Sequence, residues 1–182
     1  MEITTPRLVL REYTGEDEAA FVAYQSDPRA REFYDPGDGQ ADAGALVAIF
    51  ARWAAEVPRQ NWQLAIADRR VPARLVGSAG LRRAGAAPGE AELGLELAPA
   101  VWGQGYASEA ARALLDFGFS ALHLDAVRGT TISANTRVAQ LLRRLGFRPV
   151  GERAGAAWLA ERGWREVTWE LRREEWRAAG GG

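Results

Sequence analysis

The first regular pattern in the chain is an alternation. Across residues 7–12, Leu8 and Leu10 point one way and Arg7, Val9 and Arg11 the other, which predicts a half-buried strand. Thr14 then stands as an N-cap with Asp17 three residues on, close to a capping box, and opens a helix that runs to about Gln25 and stops near Asp27 and Pro28. Phe33, Tyr34, Pro36, Gly37 and Gly39 follow no period, so residues 31–40 read as an irregular loop. Leu46, Ile49, Phe50 and Trp53 fall at i, i+3, i+4 and i+7, one apolar face of a second helix that Pro58 closes.

Strand-like runs at 62–67, 75–82 and 90–97 come next, the first two joined by a turn at 68–70 and the last two by a small-residue loop at 84–89. In the last run Glu92, Gly94 and Glu96 share one face, and Leu93, Leu95 and Leu97 the other; Pro99 ends it. Residues 107–122 predict a helix packing through Ala107, Ala110, Ala111, Leu114, Phe117 and Ala121. A strand at 126–133 leads into a short helix whose apolar face is Val138, Leu141, Leu142 and Leu145, with Gly146 and Phe147 as a left-handed cap and its hydrophobic follower. Strands at 147–153 and 165–173 flank a loop at 155–163, and the residues from about 177 to Gly182 read as a frayed tail. The order β-α-α-β-β-β-α-β-α-β-β places consecutive hairpins mid-chain. It predicts an α/β fold of α+β type, a mixed and largely antiparallel central sheet with flanking helices, over a single domain spanning residues 1–182.

Composition narrows the chemistry. Apolar residues make up 47% and charged residues 26%, as in an ordinary soluble globular chain, and a net charge of −1 gives no footprint for nucleic acid or an anionic membrane. There is no cysteine, and His123 is the only histidine. A thiolate site, a His-based metal site and a Ser-His-Asp triad therefore have little to build on, and no metal is expected. With neither a signal-peptide pattern at Met1 nor a membrane-length apolar run, the expected location is cytoplasmic.

The stretch Val101, Trp102, Gly103, Gln104, Gly105, Tyr106, Ala107, Ser108, Glu109, Ala110 joins a strand to a helix. Gly103 and Gly105 allow a sharp turn and a close ligand approach, and the helix start offers unpaired N–H groups. Together they can cradle a phosphate. A tight turn without a ligand is the plain alternative, and a dinucleotide fingerprint is disfavoured because Ser108 stands where a third glycine belongs.

On these residues the chain resembles the GNAT superfamily of acetyl-CoA-dependent N-acetyltransferases, and most closely its RimJ/RimL-like branch. The resemblance runs from Thr5-Pro6-Arg7-Leu8-Val9-Leu10-Arg11 through residues 76–81, 91–97 and 102–109. It continues to Asn135 with Leu145-Gly146-Phe147 ten residues on, and ends at Gly163-Trp164-Arg165-Glu166-Val167-Thr168-Trp169-Glu170-Leu171. It implies a cleft between two splayed central strands holding acetyl-CoA as co-substrate. Leu95, Glu96 and Leu97 would lie along the pantetheine, Trp102, Gly103, Gln104, Gly105, Tyr106, Ala107 and Ser108 at the pyrophosphate, Asn135 on the cofactor arm, and Arg143 or Arg144 at the nucleotide phosphates. A homodimer is the family-level expectation.

Acetyl transfer to an amine needs a deprotonated amine, a positioned thioester and a donor for the developing oxyanion. Glu92 is the first candidate base, because related enzymes often place one on this strand, and Glu96 is the second. Two hydroxyls found in related enzymes are missing, since Leu142 stands at the position of a tyrosine and Val138 at that of a serine; Ser133, Tyr106 or a water held by Asn135 are substitutes. Phe33, Tyr34, Trp53, Trp62, Trp158 and Trp164 fall where they could wall an acceptor cleft, near Asp35, Asp38 and Glu161. The expected reaction is direct transfer of acetyl to a primary amine: a protein or peptide N-terminus, or a small-molecule amine such as an amino acid, a polyamine or an antibiotic. A non-catalytic acyl-CoA or small-molecule binding module on the same fold is the alternative.

Overall fold

The computed structural model describes residues 1–35 and 43–181. Of the predicted loop at 31–40, residues 36–40 lie outside the described residues, as do Asp38 and, at the other end, Gly182.

The sheet is mixed and 8-stranded, in the order β1-β2-β3-β4-β5-β6-β8-β7. Its strands are β1 (Glu2–Thr4), β2 (Leu8–Arg11), β3 (Asn61–Asp68), β4 (Val71–Arg82), β5 (Glu90–Leu97), β6 (Ala126–Ile132), β7 (Arg148–Ala154) and β8 (Arg165–Arg172). Every pairing is antiparallel except β5 with β6. That parallel step needs a crossover, which α3 (Tyr106–Ser120) supplies. Among the described residues the other α-helices are α1 (Glu18–Gln25), α2 (Ala43–Ala54), α4 (Thr136–Arg144), α5 (Ala157–Ala160) and α6 (Arg173–Ala178).

The alternation along the strands divides the interior in two. Leu8, Leu10, Leu64 and Ile66 join Ala110, Ala111, Leu114 and Leu115 of α3 in the larger core, which also holds Leu141 and Leu142 of α4. Ala65 and Leu75 join Tyr13, Phe21, Tyr24, Val47 and Phe50 in a second cluster under α1 and α2. The start of the first helix follows the Thr14–Asp17 pattern: the Asp17 carboxylate accepts from the Thr14 N–H at 2.8 Å. It also receives the Arg11 guanidinium at 2.7 and 2.8 Å.

Three short elements differ from the sequence reading. β1 is an edge strand too short to show a period. α5 interrupts the predicted loop at 155–163. α6 carries the chain in helix to Ala178, past the start of the predicted tail, because Trp176 is buried against α3. Its Nε1 donates to Asp116 Oδ1 at 2.7 Å, and its ring lies 6.3 Å from that of Phe119.

Candidate active site

Parallel pairing between β5 and β6 is confined to Glu90 with Ala126, Ala91 with Val127 and Glu92 with Arg128. Beyond Glu92 the two strands part, and the opening between them leads into a cleft of about 1040 Å³. Gly94, Leu95 and Glu96 of β5 and Thr130, Thr131 and Ile132 of β6 line it along the split. Asn135 and Val138 close one end from α4. Phe21, Gln25, Tyr34, Phe50 and Trp53 form the wall on the α1–α2 side, and Trp158, Leu159 and Glu166 the opposite wall.

The turn after β5 presents a run of backbone N–H donors. Gly103 and Gly105 have φ values of 77° and 80°, a left-handed conformation that favours glycine. Gly105 is the N-cap of α3 and offers no side-chain cap. Among the described residues, none accepts a hydrogen bond from the backbone N–H groups running from Gly103 through Ser108. A helix start normally satisfies these donors with a capping side chain, water or a ligand. Left open in sequence along a glycine turn, at the positive end of the α3 dipole, donors of this kind are able to hold an anion. The turn is held from behind: Trp102 Nε1 donates to the Leu97 carbonyl at 2.8 Å, and Gln104 Nε2 to the Ala100 carbonyl at 3.3 Å. Turn and cleft meet at the first turn of α4. There the Arg137 guanidinium lies 5.2 Å from the Trp102 ring centre, and the Asn135 side chain caps α4 by accepting from the Val138 N–H at 3.2 Å.

The two candidate bases part company. Glu92 sits where β5 and β6 are still paired; its side chain is about half exposed, lies 3.5 Å from the Arg82 guanidinium, and is not among the residues lining the cleft. Glu96, four residues on and about 13 Å further along the strand, lies past the split and lines the cleft. The Tyr34 hydroxyl donates to one of its carboxylate oxygens and the Gln25 side-chain amide to the other. Burial, and after it the negative charge of Glu96, hold the Tyr34 phenol well above its ordinary range, so it remains a donor at neutral pH. Gln25 has no mark in the sequence that would single it out; it reaches Glu96 only because α1 packs across the sheet.

Below Glu96 the floor is polar. Gln63 Nε2 donates to Ser78 Oγ at 2.7 Å, and both residues line the cleft. Gln63 Oε1 and the hydroxyls of Tyr13 and Tyr24 are buried with no hydrogen-bond partner among the described residues. The Tyr13 hydroxyl faces Ser78 and Tyr24 without reaching hydrogen-bond geometry with either, and burial pushes both phenols up.

Leu142 is buried in the core, Val138 lines the cleft, and Ser133 Oγ accepts from the Arg165 N–H at 3.0 Å. The Tyr106 ring lies under the Arg7 guanidinium at 4.7 Å, and Ala107 packs on the core. Arg143 stacks over Trp169 at 5.2 Å, and the guanidinium beside the glycine turn, over Trp102, is that of Arg137. Of the aromatics, Phe33, Tyr34, Trp53 and Trp158 line the cleft. Trp164 backs it, 5.6 Å from Phe33 and 6.3 Å from Trp158. Trp62 does not belong there; it is buried, with its ring 6.2 Å from that of Phe117 on α3. Asp35 and Glu161 are not cleft-lining residues. Glu166 is, but Arg153 pairs with it at 2.6 Å.

Comparison with known proteins gives this geometry a context. The chain is 29% identical over 151 residues to the uncharacterized N-acetyltransferase YoaA of Bacillus subtilis, which covers 82% of this chain and 84% of YoaA. An acetyltransferase of the GNAT family from Bacillus anthracis shares the fold, with a TM-score of 0.78 at 23% identity over 96% of this chain and 99% of that one. So does the spermidine N-acetyltransferase of Vibrio cholerae, solved in complex with CoA and spermine, with a TM-score of 0.77 at 16% identity over 94% and 99% of the two chains. The acetyltransferase (GNAT) domain model matches residues 7–148, and the chain belongs to that family.

Proposed function

We propose that the protein transfers acetyl from acetyl-CoA directly to a primary amine, with Glu96 as the base. The observation that carries this reading is the run of unpartnered N–H groups from Gly103 to Ser108 beside the split between β5 and β6. Those donors suit a pyrophosphate, and the unpaired edge of β5 past Glu92 suits the amide groups of a pantetheine arm. Bound acetyl-CoA would supply the acyl group and a thiol of ordinary acidity as leaving group. Arg137 is a nearby cation for its phosphates.

The work left to the chain is proton removal and orientation. A primary amine is mostly protonated at neutral pH, so a base raises the population that can attack. Glu96 fits on three counts: it lines the cleft, it lies past the split, and Gln25 and Tyr34 fix its orientation. Each carboxylate oxygen keeps acceptor capacity for an amine N–H. Aromatic walls at Tyr34, Trp53 and Trp158 favour an acceptor with apolar or cationic bulk next to the amine. This covers an N-terminal peptide, an amino acid, a polyamine or an aminated antibiotic.

Thiol release from acetyl-CoA in the presence of an acceptor panel tests the proposal. Wild type should release thiol on addition of one acceptor class, and Glu96→Gln should lower kcat/KM by ~10²–10⁴-fold while CoA affinity holds. Glu92→Gln should stay within about 3-fold of wild type. Loss on Glu92→Gln with full activity in Glu96→Gln would reverse the assignment. The non-catalytic binding reading has one feature in its favour, that Val138 and Leu142 offer no hydroxyl to the leaving thiolate; it predicts CoA binding with no release for any acceptor.

A further inference from the structure

The segment entering β2 grips the glycine turn from outside the cleft. Thr5 Oγ1 donates to Glu109 Oε1 at 2.6 Å and itself accepts from the Leu8 N–H at 2.9 Å. The Arg7 backbone N–H donates to the same Glu109 oxygen at 2.8 Å, and Arg7 Nε to the other at 2.6 Å. Arg7 Nη1 then reaches the carbonyl of Gln104, between the two left-handed glycines, at 2.8 Å. Its guanidinium covers the Tyr106 ring, and a Cβ on Gly105 would come within 3.3 Å of Nη2. The segment is itself anchored to the sheet, since the Arg7 carbonyl accepts from the Arg69 N–H at 2.9 Å.

An exposed ion pair alone contributes little to stability. Repeated ligation of one carboxylate on the first turn of α3, joined to a hydrogen bond onto the turn's own backbone, instead fixes geometry. Glu109 is also kept from folding back over the N–H groups of its own helix, because its oxygens are taken by Thr5 and Arg7. Burial alone would raise its pKa; those hydrogen bonds outweigh burial and hold it below the ordinary range, so it stays ionised.

We infer that Thr5, Arg7 and Glu109 are positioning residues that preorganise the donors of Gly103 to Ser108 for a pyrophosphate. This rests on the proposal that the turn takes the pyrophosphate of CoA. Turns with two left-handed glycines lose much conformational freedom on binding, and holding the turn beforehand removes part of that loss.

The test compares CoA with pantetheine, which shares the thiol arm but lacks the pyrophosphate and nucleotide. Binding is measured by calorimetry on wild type, Arg7→Met and Glu109→Gln. Arg7→Met keeps the stem over Tyr106 and loses the guanidinium; Glu109→Gln keeps the shape and loses the charge. Wild type should prefer CoA. Both variants should weaken CoA roughly 10- to 100-fold and leave pantetheine unchanged. Arg7→Lys, the milder change, is the replacement should Arg7→Met fail to fold, and should fall between wild type and Glu109→Gln. An intact CoA preference in folded variants would overturn the inference, as would equal losses for CoA and pantetheine. A wild type with no preference between the two would overturn the pyrophosphate reading of the turn, and the inference with it.

Discussion

Glu92 and Glu96 show what decides a site at the scale of one residue. Strand parity puts them on the same face, and the family resemblance ranks Glu92 ahead of Glu96. The difference comes from the register of a neighbouring strand: β6 is still paired at Glu92 and has left by Glu96. Gln25 and Tyr34 then select Glu96 through contacts that span 71 and 62 residues of chain. Asp17 is the opposite case, readable locally as the partner of Thr14. Burial would raise its pKa, but Arg11 and the Thr14 backbone outweigh burial and lower it below the ordinary 3.8. Its contribution to stability is therefore complete above that value and fades as pH falls through the depressed folded value. Asp17→Ala should cost roughly 3 kcal/mol at pH 7 by removing the buried carboxylate that accepts from Arg11 and from the Thr14 N–H. In urea denaturation across pH, the gap to wild type should narrow only below about pH 3.8. A gap that persists unchanged at pH 2 would contradict the charge-pair account.

At the scale of elements, β4 carries the position of β5 and thus of Glu96. Gly77 is paired with Leu97, and a Cβ there would come within 2.2 Å of the Glu96 carbonyl oxygen, an approach that backbone cannot accommodate. Gly77→Ala should lower stability by at least ~1–3 kcal/mol and lose activity beyond what the stability loss explains. Retained kcat/KM in Gly77→Ala would mean that β5 need not sit where it does. The glycine turn was legible because its cause is local: two glycines with positive φ and a helix start need no partner to be recognised. α6 was not, because its sequence is mostly Arg and Glu and its one apolar anchor, Trp176, makes no period. That anchor matters nonetheless. Trp176→Ala should cost ~3–5 kcal/mol by emptying the site against Phe119 and Asp116, with the loss read as a lower urea midpoint at unchanged slope. A loss under about 1 kcal/mol would make α6 an appendage rather than part of the core.

For the whole molecule, the alternating strands and three-four spaced helices predicted the layer arrangement: a mixed, largely antiparallel sheet with flanking helices. What they could not predict is the split between β5 and β6, which appears only when α3 crosses over and brings two strands together in parallel for a short stretch. The proposed function rests on that split. One side of it leads to a turn with open donors, and the other to a cleft whose single cleft-lining carboxylate without a cationic partner, among the described residues, is Glu96. The measurement that tests this most directly is acceptor-dependent release of the CoA thiol, run on wild type and Glu96→Gln with CoA affinity measured in parallel. The account predicts release by wild type with at least one amine class, and a loss of ~10²-fold or more in Glu96→Gln at unchanged CoA affinity. Equal release by the two proteins would remove Glu96 as the base, and tight CoA binding with no release from any amine would contradict the transferase reading itself.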